Sequence, residues 1–292
     1  MTGLTYRIYR KIHYLLRRIY VLAAPKQDAL NHSGRNRKII VSLASYPARF
    51  AKIHIALKSI MLQSMKADRI IVWLDEGVER RKLTHKMIEL EQYGVEYRYV
   101  KDLKAHKKYF YVMQEFPDDI IITIDDDVIY PKDVIETLVN THKRYPDCVC
   151  ARRVHKITKN ADGTIAPYKD WLGEYCGCDV PSHELVAIGV GGILYPPHCL
   201  YKKVFDEDLI IKLCFNADDI WLKFMELLNG TRVVWTPCKF PMPELIEKEQ
   251  KTSLNAENVG QNRNDLYFAN MMEYFSVQAD AFGIADETEY ES

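Results

Sequence analysis

Three consecutive carboxylates, Asp125, Asp126 and Asp127, follow the β-prone run of residues 121–124, where a buried strand would leave its sheet. Packing gives no reason for three adjacent acids there, because their charges repel. A divalent cation, which takes hard oxygen ligands, removes that repulsion. Alternate side chains of an extended segment share a face, so Asp125 and Asp127 are expected to converge on one ion while Asp126 turns elsewhere. The structural alternative is a solvated acidic turn, or an N-cap for the segment that begins near Pro131. A second pair, Asp218 and Asp219, opens another helical run, where acids also serve as caps. Ser45 and Asp75 each follow a β-prone run, and Lys107 and Lys108 precede the helix that leads to the triple acid.

The elements that must position these residues alternate in type. Residues 39–43, 70–74, 95–100 and 120–124 read as strands; residues 53–61, 80–93 and 109–116 read as helices between them. This order predicts an α/β fold with a mostly parallel sheet flanked by helices, whose ligands bind beyond the carboxyl ends of the strands. Ser45, Tyr46, Asp75 and Asp125 to Asp127 fall on that edge, so separate signals become one candidate site. Further along, 131–145 reads as a helix and 149–154 as a strand. The long polar and aromatic connection 156–183, with Tyr168, Trp171 and Tyr175, reads as a functional loop in which Trp171 and Tyr175 either stack on a sugar or pack the core. Residues 187–194 carry Gly189, Gly191 and Gly192; a helix to residue 228, a strand at 232–235, a polar stretch at 248–265 and a helix at 266–275 follow.

Residues 1–24 read as one amphipathic helix. Ile8, Ile12, Leu15, Leu16, Ile19 and Leu22 recur at helical spacing, five basic residues lie among them, and no acid appears before Asp28. That is the pattern of a helix lying on an anionic membrane surface, with Tyr6, Tyr9, Tyr14 and Tyr20 at the headgroup level; the alternative is packing on the protein's own body. The expected organisation is a basic helix and linker (1–36), a main domain (37–245) and a polar C-terminal lid segment with a helix (246–292). Lys+Arg and Asp+Glu both number 40, so nothing in the overall charge points to nucleic acid. The apolar runs are too short to cross a bilayer and no usual signal peptide stands out. The seven scattered cysteines lack zinc spacing and read as reduced thiols in a cytoplasmic protein, peripheral on the inner membrane face.

From residue 38 to 235 the ordered motifs resemble the GT-A (Rossmann-like) glycosyltransferases, in particular bacterial family-2-like enzymes that build surface polysaccharides such as capsule or lipopolysaccharide. The resemblance implies a nucleotide-sugar donor, most simply a UDP-sugar, and a glycan or lipid-linked acceptor. It implies that Ser45, Tyr46, Asp75, Lys107, Lys108, Asp126, Gly191 and Gly192 bind the donor, and that Asp125 and Asp127, as an Asp-X-Asp motif, hold Mn²⁺ or Mg²⁺. Asp218-Asp219 resembles the family's Glu-Asp pair, whose second acid is the catalytic base, so Asp219 is expected to deprotonate the acceptor hydroxyl in an inverting attack. Asp218 stands where Glu is usual. The motif of processive synthases is absent, which implies transfer of one sugar. No histidine follows His198, so phosphate contacts would fall to Lys251, Asn258 or Arg263. Arg152 and Arg153 are weaker candidates for an acceptor phosphate.

Two other readings remain at this stage. A strand followed by Asp125-X-Asp127 also resembles the first motif of haloacid-dehalogenase-like phosphatases, with Asp125 as nucleophile, although that motif normally opens its domain. A non-catalytic, sugar-binding membrane scaffold would have kept the fold without turnover.

Overall fold

The computed structural model describes residues 3–177, 180–240, 244–246 and 263–284. The central sheet has seven strands in the order β3-β2-β1-β4-β8-β5-β9: β1 (Ile39–Ala44), β2 (Arg69–Asp75), β3 (Val95–Val100), β4 (Ile120–Thr123), β5 (Val149–Ala151), β8 (Ile193–Tyr195) and β9 (Val233–Trp235). β1 to β4 run parallel, β8 is antiparallel to both its neighbours, and β9 is parallel to β5. The expected α/β architecture is therefore the one observed. Residues 39–43 and all of β4 are buried, which is why these strands read as continuous apolar runs rather than alternating ones.

Helices cover both faces: α2 (Ile53–Met61), α3 (His85–Leu90), α4 (Lys107–Glu115), α5 (Val134–Arg144), α6 (Glu207–Leu213), α7 (Asp218–Leu228) and α8 (Arg263–Phe275). One apolar cluster joins β1, β2 and β4 to α2 and α5; a larger one joins α7 and α8 to β5, β7 (Leu185–Ala187) and β8. The strand order reverses at β1, whose neighbours are β2 and β4, and the carboxyl ends there form the crevice in which such sheets bind ligands.

Two expected elements are broken. Residues 80–93 form three short pieces instead of one helix, because the Thr84 hydroxyl accepts from the Met87 amide and caps α3 afresh. The expected strand 149–154 splits into β5 and β6 (Val154–Lys156); β6 pairs with β7 (Leu185–Ala187) in a separate two-stranded sheet. The break falls at Arg152 and Arg153, whose backbone bonds turn to Gly192 O and Ile188 N. Trp171 is buried against Phe268 and donates to Ala166 O at 2.8 Å, so it packs the core and offers no stacking face.

The N-terminal helix α1 (Gly3–Ala23) meets the body with its polar side. Tyr6, Tyr9, His13 and Tyr14 surround Phe240; Arg18 donates to Ile246 O at 3.0 Å and Arg17 lies 3.5 Å from Glu244. Three of the four tyrosines expected at a headgroup boundary thus face the protein. Only Val21 enters a buried apolar cluster, with Ile55, Ala56, Leu62, Ile129 and Ile246. Leu4, Ile8, Ile12, Leu15, Leu16, Ile19 and Leu22 are each more than half exposed. Among the described residues no helix is long and apolar enough to cross a membrane.

Candidate active site

Register explains how the site assembles. Ser42 of β1 pairs with Thr123 of β4, so residues three further along each chain, Ser45 and Asp126, emerge side by side. The Ser45 hydroxyl donates to Asp126 Oδ2 at 2.5 Å, and both residues are buried. The strand ends at Thr123 and the chain turns at Asp126 and Asp127, so the three acids point three ways. Asp127 pairs with Arg49 at 3.1 Å, while Asp125 turns towards α4. Arg49 in turn lies over the Tyr46 ring and donates to its hydroxyl at 3.2 Å.

Asp125 meets the acids of α7 through one buried ammonium. Lys108 Nζ lies 3.0 Å from Asp125 Oδ1 and 2.8 Å from Asp218 Oδ2. Asp219, half-buried in the first turn of α7, accepts from the Gly189 amide at 3.1 Å. The backbone of Gly189 leaves no room for a side chain: a Cβ there would stand 2.6 Å from Lys108 Nζ and 3.2 Å from Asp219 Oδ1. Behind this group His106 is buried, its ring nitrogens 2.9 Å from Tyr109 Oη and 3.0 Å from Cys214 O.

The preceding lysine serves the neighbouring strand. Lys107 Nζ bonds Asp75, the last residue of β2, and lies 2.8 Å from Asp102. Two consecutive lysines at the start of α4 therefore link the ends of β2 and β4, and both are buried rather than solvated.

Electrostatics sets the protonation of the cluster. Burial works against the Lys108 charge, but Asp125, Asp218 and Asp219 hold its pKa well above the usual lysine range. Burial also opposes the charge on Asp218, yet Lys108 and then His106 keep its pKa low. Asp219 is pushed up to about 8 by burial and the Asp218 charge. Asp126 is pushed up to about 7, mainly by burial, against the Ser45 hydrogen bond. Five carboxylates thus gather around Lys108 and Arg49. This surplus of hard oxygen donors fits a divalent cation. No three His, Cys, Asp or Glu side chains among the described residues form a metal-holding group. Two protein carboxylates completed by substrate phosphates and water, the usual Mg²⁺ arrangement, is the supply that matches.

The structure brings together Ser45 with Asp126 and Asp125 with Lys108, Asp218 and Asp219. It places Asp75 with Lys107 one strand over, and leaves Tyr46 exposed at the rim. Gly191 and Gly192 have other neighbours: a Cβ on Gly191 would meet Arg153 Cβ at 2.7 Å, and Gly192 has a φ of +90° and faces α5. The glycine against the acids is Gly189. Arg152 is buried on Asp133 and Thr137, and Arg153 pairs with Glu174. Lys251 and Asn258 lie outside the described residues. Sequence reasoning missed His106, Gly189 and Arg49 as site residues. Arg49 had one available signal, a cation three residues beyond Tyr46 in the turn that follows β1.

Residues 45–172, somewhat less than half of the chain, match the family model of Glycosyl transferase family 2; the matched span includes the strand-end residues and stops before Asp218. No curated protein sequence matches the chain significantly. Among solved structures the chain is similar to a mannosyltransferase, PcManGT from Pyrobaculum calidifontis in complex with GDP-Man and Mn²⁺, at 14% identity over 92% of this chain and 73% of that one, with a TM-score of 0.48. It is also similar to a CMP:2-keto-3-deoxy-manno-octonic acid synthetase complexed with CTP (13% identity, 69% and 89% covered, TM-score 0.39). A third similar structure is a 4-diphosphocytidyl-2C-methyl-D-erythritol synthase (10% identity, 79% and 100% covered, TM-score 0.43).

Proposed function

We propose that this protein is a GT-A glycosyltransferase that moves one sugar from a nucleotide donor, a UDP-sugar in the simplest case, to a glycan acceptor carried on a lipid, as in the building of a bacterial surface polysaccharide. The observation that carries the reading is Asp219: a carboxylate aimed by the Gly189 amide, next to the Lys108–Asp125 pair, on the sheet edge where ligands bind. The family match over residues 45–172 supports the same class.

In this reading the donor lies across the ends of β2, β1 and β4. The exposed Tyr46 ring offers a stacking face for the base, and Asp75, held by Lys107, accepts hydrogen bonds from the nucleoside. Asp127 and Asp125, which in this structure turn to Arg49 and Lys108 respectively, are the two carboxylates that would hold Mn²⁺ or Mg²⁺, whose charge would stabilise the departing diphosphate. Asp219 accepts the proton of the attacking acceptor hydroxyl, and attack from the face opposite the diphosphate inverts the anomeric centre. A pKa near neutrality suits a general base, and the Gly189 amide fixes the direction of its lone pairs. Lys108 offsets part of the repulsion that Asp218 and Asp125 exert on Asp219.

The exposed apolar face of α1 together with the exposed Arg7 and Lys11 suits a helix lying on an anionic membrane. It would seat the enzyme on the cytoplasmic face, where a lipid-borne acceptor shares its surface.

The test is Mn²⁺- or Mg²⁺-dependent release of nucleoside diphosphate from a panel of nucleotide sugars, with anionic vesicles and extracted lipid acceptor present. Turnover of one donor that Asp127→Ala abolishes supports the assignment. Metal-dependent phosphatase activity lost in Asp125→Asn, with no sugar transferred, would replace it with the hydrolase reading.

A further inference from the structure

Helix α1 carries its cations unevenly. Arg7 and Lys11 are exposed in its first half, but in the second half Arg17 and Arg18 turn inward, to Glu244 and to the Ile246 carbonyl. That second half presents Leu15, Leu16, Ile19 and Leu22 to solvent with no exposed cation of its own. A helix on an anionic surface needs charge beside such a stripe.

Neighbouring elements supply it. Lys58 of α2 donates to Leu22 O at 2.9 Å, so its ammonium stands at the last residue of the apolar face. His54, one turn earlier on the same side of α2, accepts from Lys86 of α3 at 3.3 Å. Lys26, just past the end of α1, pairs with Glu89, which lies one turn after Lys86 on α3. These cations feel one another: burial and then the Lys26 charge lower the Lys58 pKa, and burial followed by Lys86, Lys26 and Lys58 opposes a charge on His54. Among the described residues neither Lys58 nor Lys86 forms an ion pair with a carboxylate. The chain as a whole has balanced charge, and charges act over only about 8 Å at physiological ionic strength, so attraction to an anion is set by local groupings of this kind.

We propose that the outer face of α2 and α3, carrying Lys26, Lys58 and Lys86, is a second contact with anionic lipid headgroups, continuous with the apolar face of α1 at Leu22. It rests on the membrane placement of α1 given above. A single helix lying on a surface leaves the body free to roll about the helix axis; a headgroup contact to one side of that axis fixes the roll. Soluble phosphates share the headgroup's chemistry, but ammonium groups spread over three elements suit an extended surface better than a single small anion.

The test is cosedimentation with vesicles of mixed phosphatidylglycerol and phosphatidylcholine. Wild type is compared with Lys58→Gln/Lys86→Gln, in which glutamine can still donate to Leu22 O and His54 while the charge is gone, and with Lys202→Gln/Lys212→Gln, two exposed lysines beside and within α6. Vesicle affinity should fall about tenfold or more in the first pair and less than about twofold in the second. Glycerophosphoglycerol, the soluble headgroup, should not displace the protein. Unchanged affinity in Lys58→Gln/Lys86→Gln, equal losses in both pairs, displacement by the soluble headgroup, or no vesicle binding by wild type would each overturn the proposal. Leu15→Ser/Ile19→Ser tests the α1 placement separately: full vesicle binding by that variant, with the loss in Lys58→Gln/Lys86→Gln as expected, would leave the α2–α3 surface standing and remove α1 from the membrane instead.

Discussion

Replacing Lys108 with methionine removes one charge from the centre of the site while nearly preserving its volume. The Lys108 side chain is 6% exposed, against 12% for Asp218 and 29% for Asp125. Removing one partner of a buried ion pair costs about 3–5 kcal/mol, because the remaining charge is left uncompensated. Partial exposure of Asp125 places the expectation at the lower end, about 3 kcal/mol. For a chain of this size that corresponds to a fall in Tm of roughly 6–12 °C. The loss must depend on pH. Lys108 depresses the Asp218 pKa, and a depressed carboxylate contributes stability that is present above the usual carboxylate range and lost as pH falls through it. In Lys108→Met that contribution is missing, and burial with the Asp125–Asp218 repulsion, no longer offset, pushes both carboxyls up, so the defect is largest near pH 8 and shrinks towards pH 5 as they take up protons. Differential scanning calorimetry at the two pH values reads both effects. A shift under 2 °C at pH 8, or one of equal size at pH 5, refutes the view that this ammonium neutralises the acids.

Gly189→Ala puts a Cβ where 2.6 Å separates it from Lys108 Nζ. It should cost about 1–3 kcal/mol in stability and about a hundredfold in kcat through a displaced Asp219; steady-state kinetics with kcat within threefold of wild type would contradict this. Lys223 and Glu226 form a second buried pair, 4.0 Å apart, and neither Lys223 Nζ nor Glu226 Oε2 has a hydrogen-bond partner among the described residues. Lys223→Met alone should cost about 3 kcal/mol, whereas Lys223→Met with Glu226→Leu should return to within about 1 kcal/mol of wild type; urea unfolding of both decides. Asp126 and Asp219 have raised pKa values of about 7 and 8. Such groups stabilise the fold fully below the ordinary carboxylate pKa, and that contribution is lost as pH rises through 7 and 8. The charge of Mn²⁺ held beside them by Asp125 and Asp127 favours their ionised forms, so it should raise Tm more at pH 8 than at pH 5.5; an equal rise at both would show that it binds elsewhere.

The sheet was legible because fully buried parallel strands are continuous apolar runs, and β1, β2 and β4 are such runs. Strand-end placement of Ser45, Asp75 and the three acids followed from that alternation alone. What stayed hidden depended on direction. The period of an extended chain put Asp125 and Asp127 on one face, but the strand ends two residues earlier and the turn at Asp126 and Asp127 sends each acid to a different partner. The burial of Lys107 and Lys108 was not visible because nothing local shows that Asp75, Asp102 and Asp218 will meet them across the fold. Gly189 could not be told from Gly191 and Gly192 for the same reason: the contact that excludes its side chain comes from α4 and α7. The amphipathic pattern of α1 gave the helix and its apolar face, but not that its tyrosines would close on Phe240.

The central claim is that Asp219 takes the acceptor proton at a site that binds the donor independently of it. Asp219→Asn keeps the shape and the Gly189 contact and removes the base. Donor affinity with Mn²⁺, by calorimetry, should stay within threefold of wild type while kcat for sugar transfer falls at least a thousandfold. Transfer retained within tenfold, or donor binding lost together with turnover, would contradict the account.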